Sequence, residues 1–404
     1  MNNILLQDGS IAPKQVDRTW PLFRLAFRPF FLFGALFSLV SLAAWLGLLS
    51  GKVTLSVHGG PLWWHMHEML FGFVGAIVVG FLLSAVQTWT RLPSIKGVPL
   101  FLLFLLWLAA RVLLWLPDLI SPWTIAAIDL LFFPAAALVL ARLVVKAKLW
   151  RNIIFIPLLA AMTLANATMH YAAATQRLDL ASSSATAMVL LVTLLMCMMG
   201  GRVFPMFTAN GTQTPRVQPI AWLERAAIIS MLLVVISQLG SFALPTWLSA
   251  TLLFVTAGIH FIRVFRWRIW VTFKTPLVWP LHVSYWCIPI GLTLLGIAEL
   301  TDWITRSQAI HSLTVGAMGI MILAMIARVS LGHTGRAIQV GRLMNGAFLI
   351  LTAAFLVRVF GNFAFSDYSH IFKAATALWV LAYGCFFVLY LPILTRPRID
   401  GQPG

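Results

Sequence analysis

From Phe27 to Leu394 the chain alternates between apolar runs of about twenty residues and short polar connectors. Twelve runs can be marked, at 27–49, 66–90, 98–116, 122–145, 152–175, 185–209, 220–243, 245–265, 276–300, 308–331, 340–360 and 368–394. An α-helix rises about 1.5 Å per residue, so each run is long enough to cross a hydrocarbon core roughly 30 Å thick. The pattern predicts an all-α integral membrane protein of about twelve transmembrane helices. A single transmembrane domain over 27–394 follows an N-terminal segment, 1–26, and precedes a tail, 395–404.

Composition agrees: of 404 residues, 61% are hydrophobic and only 10% charged, and the mean hydropathy of +0.93 lies far from that of a soluble domain. Lys and Arg number 28 against 11 Asp and Glu, a formal charge of +17. The basic residues fall on one side: Lys14, Arg18, Arg24 and Arg28, then alternate loops with Arg91, Lys96, Arg142, Lys146, Arg263, Lys274 and Arg342, then Arg396 and Arg398. By the positive-inside rule both termini are expected in the cytoplasm, which an even number of spans permits. The charge is therefore a topology signal with some affinity for anionic membrane lipid, and it argues against a nucleic-acid partner. No cleavable signal peptide is expected, because the first run is long and lacks a small-residue cleavage pattern. Cys197, Cys287 and Cys385 all fall within spans, form no CxxC pair and read as buried thiols.

Orientation assigns each histidine a depth. His58, His65, His67, His170, His311 and His370 gather toward the outer leaflet, while His260, His282 and His333 sit toward the cytoplasmic ends of spans 8, 9 and 10. A lone imidazole at a helix end lies cheaply at the water interface. A cluster of ionisable groups inside a membrane instead marks a cofactor, proton or substrate site, and neutral imidazole is a ligand for haem iron and copper.

An internal match sharpens this. "HEMLFGFVGAIVVGFLLSAVQTWT" from His67 lies on "HSLTVGAMGIMILAMIARVSLGHT" from His311 at a constant offset of 244 residues, so His67, Gly72, Gly75 and Thr90 align with His311, Gly316, Gly319 and Thr334. Small residues alone serve helix packing. With a histidine at the same offset, the paired glycines predict a face without side chains, against which a flat macrocycle ligated by His67 and His311 would lie. A weaker match of "KLW" at 148–150 to "RIW" at 268–270 suggests three units of four spans, roughly 27–145, 152–265 and 276–394. Threefold four-helix units resemble the architecture of the haem-copper oxidase catalytic subunit, where the second and tenth spans hold a low-spin haem. Spans 6 and 7 lack the copper-site histidines of that superfamily, which argues against its binuclear chemistry.

"HGGPLWWHMHEMLFGF" after "FRPFF", then "GGRVFPMFT" and "HSLTVGAMGIMILAMIARVSLGHTGR", resemble the NnrS family, over about Phe27 to Pro392. The resemblance implies a bacterial inner-membrane protein that contains haem and copper and acts in nitric oxide response, detoxification or denitrification. If it is an enzyme, it is an oxidoreductase acting on nitric oxide or a related nitrogen oxide; the electron donor is unknown.

On this reading haem is held by His67 and His311, and copper among His58, His65, His170 and His370. His65 and His67 are about 200° apart around a helix and cannot exchange roles without rotating span 2. Met69, at i+4 from His65, is a soft ligand or a packing residue. Glu68 orients an imidazole, relays a proton or faces water. Trp63 and Trp64 belong to the interfacial aromatic belt or cover a haem edge. The competing class is a transporter or metal-handling permease whose histidines line a path, with Pro134 and Pro289 as candidate helix breaks. A non-catalytic scaffold is a third.

Overall fold

The computed structural model describes residues 19–239 and 244–402. Among these every regular element is helical, and twelve helices are long and apolar enough to cross a membrane: Phe27–Leu49, Pro61–Thr90, Val98–Trp115, Pro122–Lys146, Trp150–Ala174, Leu178–Thr212, Ala221–Gln238, Thr246–Val271, Trp279–Leu300, Arg306–His333, Arg342–Phe363 and Tyr368–Thr395. These are spans 1 to 12 below. Lys14, Arg18 and the last residues expected for span 7 lie outside the described residues.

Two helices start earlier than hydropathy alone predicts. Span 2 begins at Pro61, whose fixed φ and missing N–H suit a first helical position, so His65 stands inside the helix rather than before it. Span 6 runs for 35 residues from Leu178, because Ser182, Ser183 and Ser184 lower the local hydropathy without ending the helix. Span 10 opens with a capping box in which Thr305 and Gln308 satisfy each other's backbone N–H.

Spans 2 and 6 form the centre, with 83% and 78% of their apolar windows buried, against 33–44% for the peripheral spans 1, 3, 4, 5, 7, 8, 11 and 12. Span 1 packs on spans 12 and 2, span 5 on span 6, span 8 on span 9, and span 11 on span 12. Lipid tails are as apolar as leucine, so this association rests on close packing rather than on a hydrophobic driving force. The glycines of spans 2 and 10 supply it. A Cβ on Gly72 would stand 2.7 Å from Arg111 Nη1 and from Phe37, and one on Gly75 2.9 Å from Phe133. On Gly316 it would meet Phe355 at 2.7 Å, and on Gly319 Trp379 at 2.6 Å. The expected bare face for a macrocycle is thus corrected: neighbouring helices fill all four notches with their own side chains.

Two backbone irregularities shape the site. Spans 2 and 10 each widen into a π-helical stretch at the residue after the aligned histidine, Glu68–Val74 and Ser312–Gly319. Such bulges shift the facing of everything beyond them and recur at functional sites. Span 4 breaks at Leu131, between helices Pro122–Leu130 and Phe132–Lys146. Pro134 has no N–H to bond the carbonyl of Leu130, so the first helix ends there, and Asp129 sits in its final turn. Pro289, by contrast, lies inside a continuous helix.

If the glycines are packing notches, Gly319→Ala should destabilise the fold by about 1–3 kcal/mol through overpacking against Trp379. Thermal unfolding of the detergent-solubilised protein, followed by tryptophan fluorescence, checks this; an unchanged midpoint would contradict it.

Candidate metal centre and adjoining cavity

Charged side chains in a membrane interior must find partners, and those of spans 2, 3, 4 and 5 find one another. Arg111 of span 3 reaches Glu68 through Nη1 and Asp129 through Nη2, and all three residues are at most 4% exposed. Asn166 and His170 of span 5 complete the group. The Asn166 amide donates to Asp129 Oδ2 at 2.6 Å, and His170 Nε2 lies 3.1 Å from the same oxygen.

His67 is held at both ring nitrogens. Its Nδ1 lies 2.9 Å from Glu68 Oε1, while its Nε2 faces Asn166 Oδ1 at 2.8 Å and Asp129 Oδ2 at 3.1 Å. Because the Asn166 amide nitrogen is committed to Asp129, its oxygen is the atom that points to His67. A neutral imidazole carries one N–H, yet acceptor oxygens stand at both nitrogens. Two acids and one arginine share the site with this ring, an arrangement that suits a cation there, whether a proton or a metal ion. His67, Asp129 and His170 each offer a ligand atom within 4.8 Å of the others, and all three are buried. Two imidazoles and a carboxylate suit a first-row transition ion such as copper.

Aromatic rings seal the group. Trp63 stacks on His67 at 4.5 Å and 10°, and its Nε1 donates to the Met169 carbonyl at 2.8 Å. Phe71 covers the ring's other side at 5.1 Å. His58, in the loop before span 2, stands 5.6 Å from His170 between ring centres. Burial first, then the nearby His170 and His67, pushes the His58 pKa down to about 4, so its imidazole is neutral at physiological pH.

On the opposite face of span 2 lies a cavity of about 410 Å³. His65 and His311 both line it, with Phe73, Val189, Phe372 and Trp379 among its apolar walls and Arg306 and Arg358 as its charged residues. His65 stacks on Trp45 at 4.5 Å, and its buried Nδ1 has no hydrogen-bond partner. His311 donates Nδ1–H to the Ser307 carbonyl at 2.7 Å, which leaves the lone pair on Nε2. Arg358 Nη2 lies 3.4 Å from that atom and 3.2 Å from Ser307 Oγ, while its buried Nη1 has no partner.

The structure therefore distributes the sequence candidates in three places. His67, Glu68 and His170 meet in the buried cluster, with His58 beside it. His65 and His311 meet at the cavity, where Met69 also lies. His370 stays at the surface with its side chain 79% exposed, paired to Asp367. His67 and His311 lie apart, and it is His65 that shares the cavity with His311, because positions two apart on a helix face different neighbours. Trp63 and Trp64 are buried packing residues, 2% and 0% exposed, rather than an interfacial belt. The inner histidines do not converge: His260 pairs with Tyr285 at 3.0 Å and His282 with Thr208 at 2.8 Å, while His333 packs near Phe27. Arg111, Asp129, Asn166, Arg306 and Arg358 escape a pattern centred on histidine. A signal is present for two of them, since an arginine and an aspartate in the middle of spans 3 and 4 demand a partner.

Twelve apolar helices around a buried histidine–aspartate group define a polytopic membrane protein able to hold a metal ion. The sequence profile of the NnrS family, described as NnrS protein, matches residues 21–398, and the chain belongs to that family. No curated protein matches the chain.

Removing Arg111 strands two buried carboxylates. Arg111→Met should cost about 3–5 kcal/mol, the range for breaking a buried ion pair. Adding Glu68→Gln should return part of that loss by removing one stranded charge. Chemical unfolding in detergent micelles measures both, and a neutral single variant would contradict the ion-pair account.

Proposed function

We propose that this chain is a haem- and copper-binding protein of the bacterial inner membrane that acts in nitric oxide response, detoxification or denitrification. Haem would occupy the cavity, where His65 of span 2 and His311 of span 10 would hold it. Copper occupies the cluster of His67, Asp129 and His170. Membership of the NnrS family supports the pairing of cofactors, and the shared cavity of His65 and His311 supports the place of the haem.

The observation that carries the reading is the complementary charge of the two sites. The cavity presents two arginines and, among its described lining residues, no carboxylate. It is apolar elsewhere and has a histidine with an unpartnered buried nitrogen on its wall, which suits a flat apolar group bearing two carboxylates. The cluster, with two acids to one arginine and convergent donors, suits a cation.

Bound haem supplies an iron that exchanges electrons and takes a diatomic gas, and copper a second one-electron centre. The protein's part is positional. Ser307 fixes the tautomer of His311 and Glu68 that of His67, as carboxylates and carbonyls behind metal-ligating histidines do. Arg358 caps His311 Nε2 and is the cation that a haem carboxylate would draw away. The apolar walls exclude water while admitting an uncharged gas such as nitric oxide.

Protein purified from a haem- and copper-replete host should show a Soret band that shifts on adding nitric oxide to the dithionite-reduced form. His311→Ala should lose or displace that band. A wild type without a Soret band would overturn the haem assignment.

A further inference from the structure

Span 2 places its two histidines in different sites. His65 faces the cavity and His67 the cluster, and both lie in the unbroken α-helical segment Pro61–His67, before the π-helical stretch begins. One residue, Met66, separates them, and it too lines the cavity. Helix geometry sets the Cα atoms of positions two apart about 5 Å from each other. The covalent route from one imidazole to the other is thus two Cβ atoms and the backbone of three residues. His67 is 0% exposed and sandwiched by Trp63 and Phe71, while His65, half-buried, stacks on Trp45.

We infer that the His65–Met66–His67 segment is an electron relay, joining a haem in the cavity to a redox-active metal ion in the cluster. The inference rests on the two-site reading above. A one-electron reductant reduces the iron from outside the molecule. One electron then passes along the segment, ferrous iron becoming ferric as cupric ion becomes cuprous, with no bond made or broken and no proton required. The cluster is suited to the exchange. Arg111 bridges both carboxylates and Glu68 holds His67 at Nδ1, away from the Nε2 that would face the metal, so little must reorganise when the charge changes. The other buried polar groups do not offer this link. Tyr285, His260, Arg263 and Glu224 of spans 7, 8 and 9 are hydrogen-bonded to one another and to Cys197 of span 6, and none of them lines the cavity.

The test uses purified full-length protein carrying both haem and copper. Half an equivalent of dithionite per chain is mixed in, and the haem band and the cupric paramagnetic signal are followed together. The relay predicts that the two centres reach their final ratio at a rate independent of protein concentration. It also predicts that the cupric signal relaxes faster when the iron is ferric than when it is ferrous. His67→Ala, which removes the copper ligand, should leave the Soret band in place and abolish both effects. Equilibration whose rate rises in proportion to protein concentration, together with cupric relaxation indifferent to the iron's state, would overturn the relay while leaving both cofactor sites standing. A protein without a Soret band or without bound copper would instead overturn the two-site reading, and the relay with it.

Discussion

Everything around the candidate site depends on how three charges are buried. Arg111 lies between Glu68 and Asp129 among apolar spans, where an isolated charge would cost several kcal/mol. The pairing offsets that cost only in part, because two acids meet one arginine. The rest of the site follows: Asn166 turns its amide to Asp129, and His67 meets oxygen at both nitrogens. The same ion pairs tie spans 2, 3 and 4 together at one level, and His170 and Asn166 add span 5.

Span 2 gains its dual role from this anchoring. With Glu68 and His67 held toward spans 3 to 5, the face two positions away has nowhere to go but toward spans 6, 10 and 12, where it meets His311 across an apolar cavity. The π-helical stretch then lets the lower part of the helix pack through Gly72 and Gly75 against Arg111 and Phe133. Span 10 repeats the device with Ser312–Gly319 and with Phe355 and Trp379 in its notches. One helix wall therefore divides a negative, cation-seeking cluster from a positive, carboxylate-seeking cavity.

The membrane architecture was legible in the sequence because an unpaired backbone group or charge is so costly inside a bilayer, and hydropathy reads that cost directly. Boundaries slipped where the signal is weakest, at the serines opening span 6 and at Pro61. The placing of histidines within the spans was also legible, and so were the matched glycines of spans 2 and 10. Rotation was not. Whether His65 or His67 faces span 10 is decided by Arg111, Asp129 and Asn166 on other helices, and no pattern within span 2 contains that information. The glycines misled for a related reason: absence of a side chain marks a notch, but sequence does not say whether a cofactor or Trp379 fills it. Arg111 and Asp129 were visible as intramembrane charges, and pairing them first would have led to the cluster.

Service of two separate sites from opposite faces of span 2 is tested most directly by measuring bound haem and bound copper per chain in His65→Ala and His67→Ala, each purified from the same replete host. Reciprocal losses are expected: His65→Ala loses haem and keeps copper, and His67→Ala loses copper and keeps haem. Loss of both cofactors together from either folded variant would contradict the division and place the two histidines in one site.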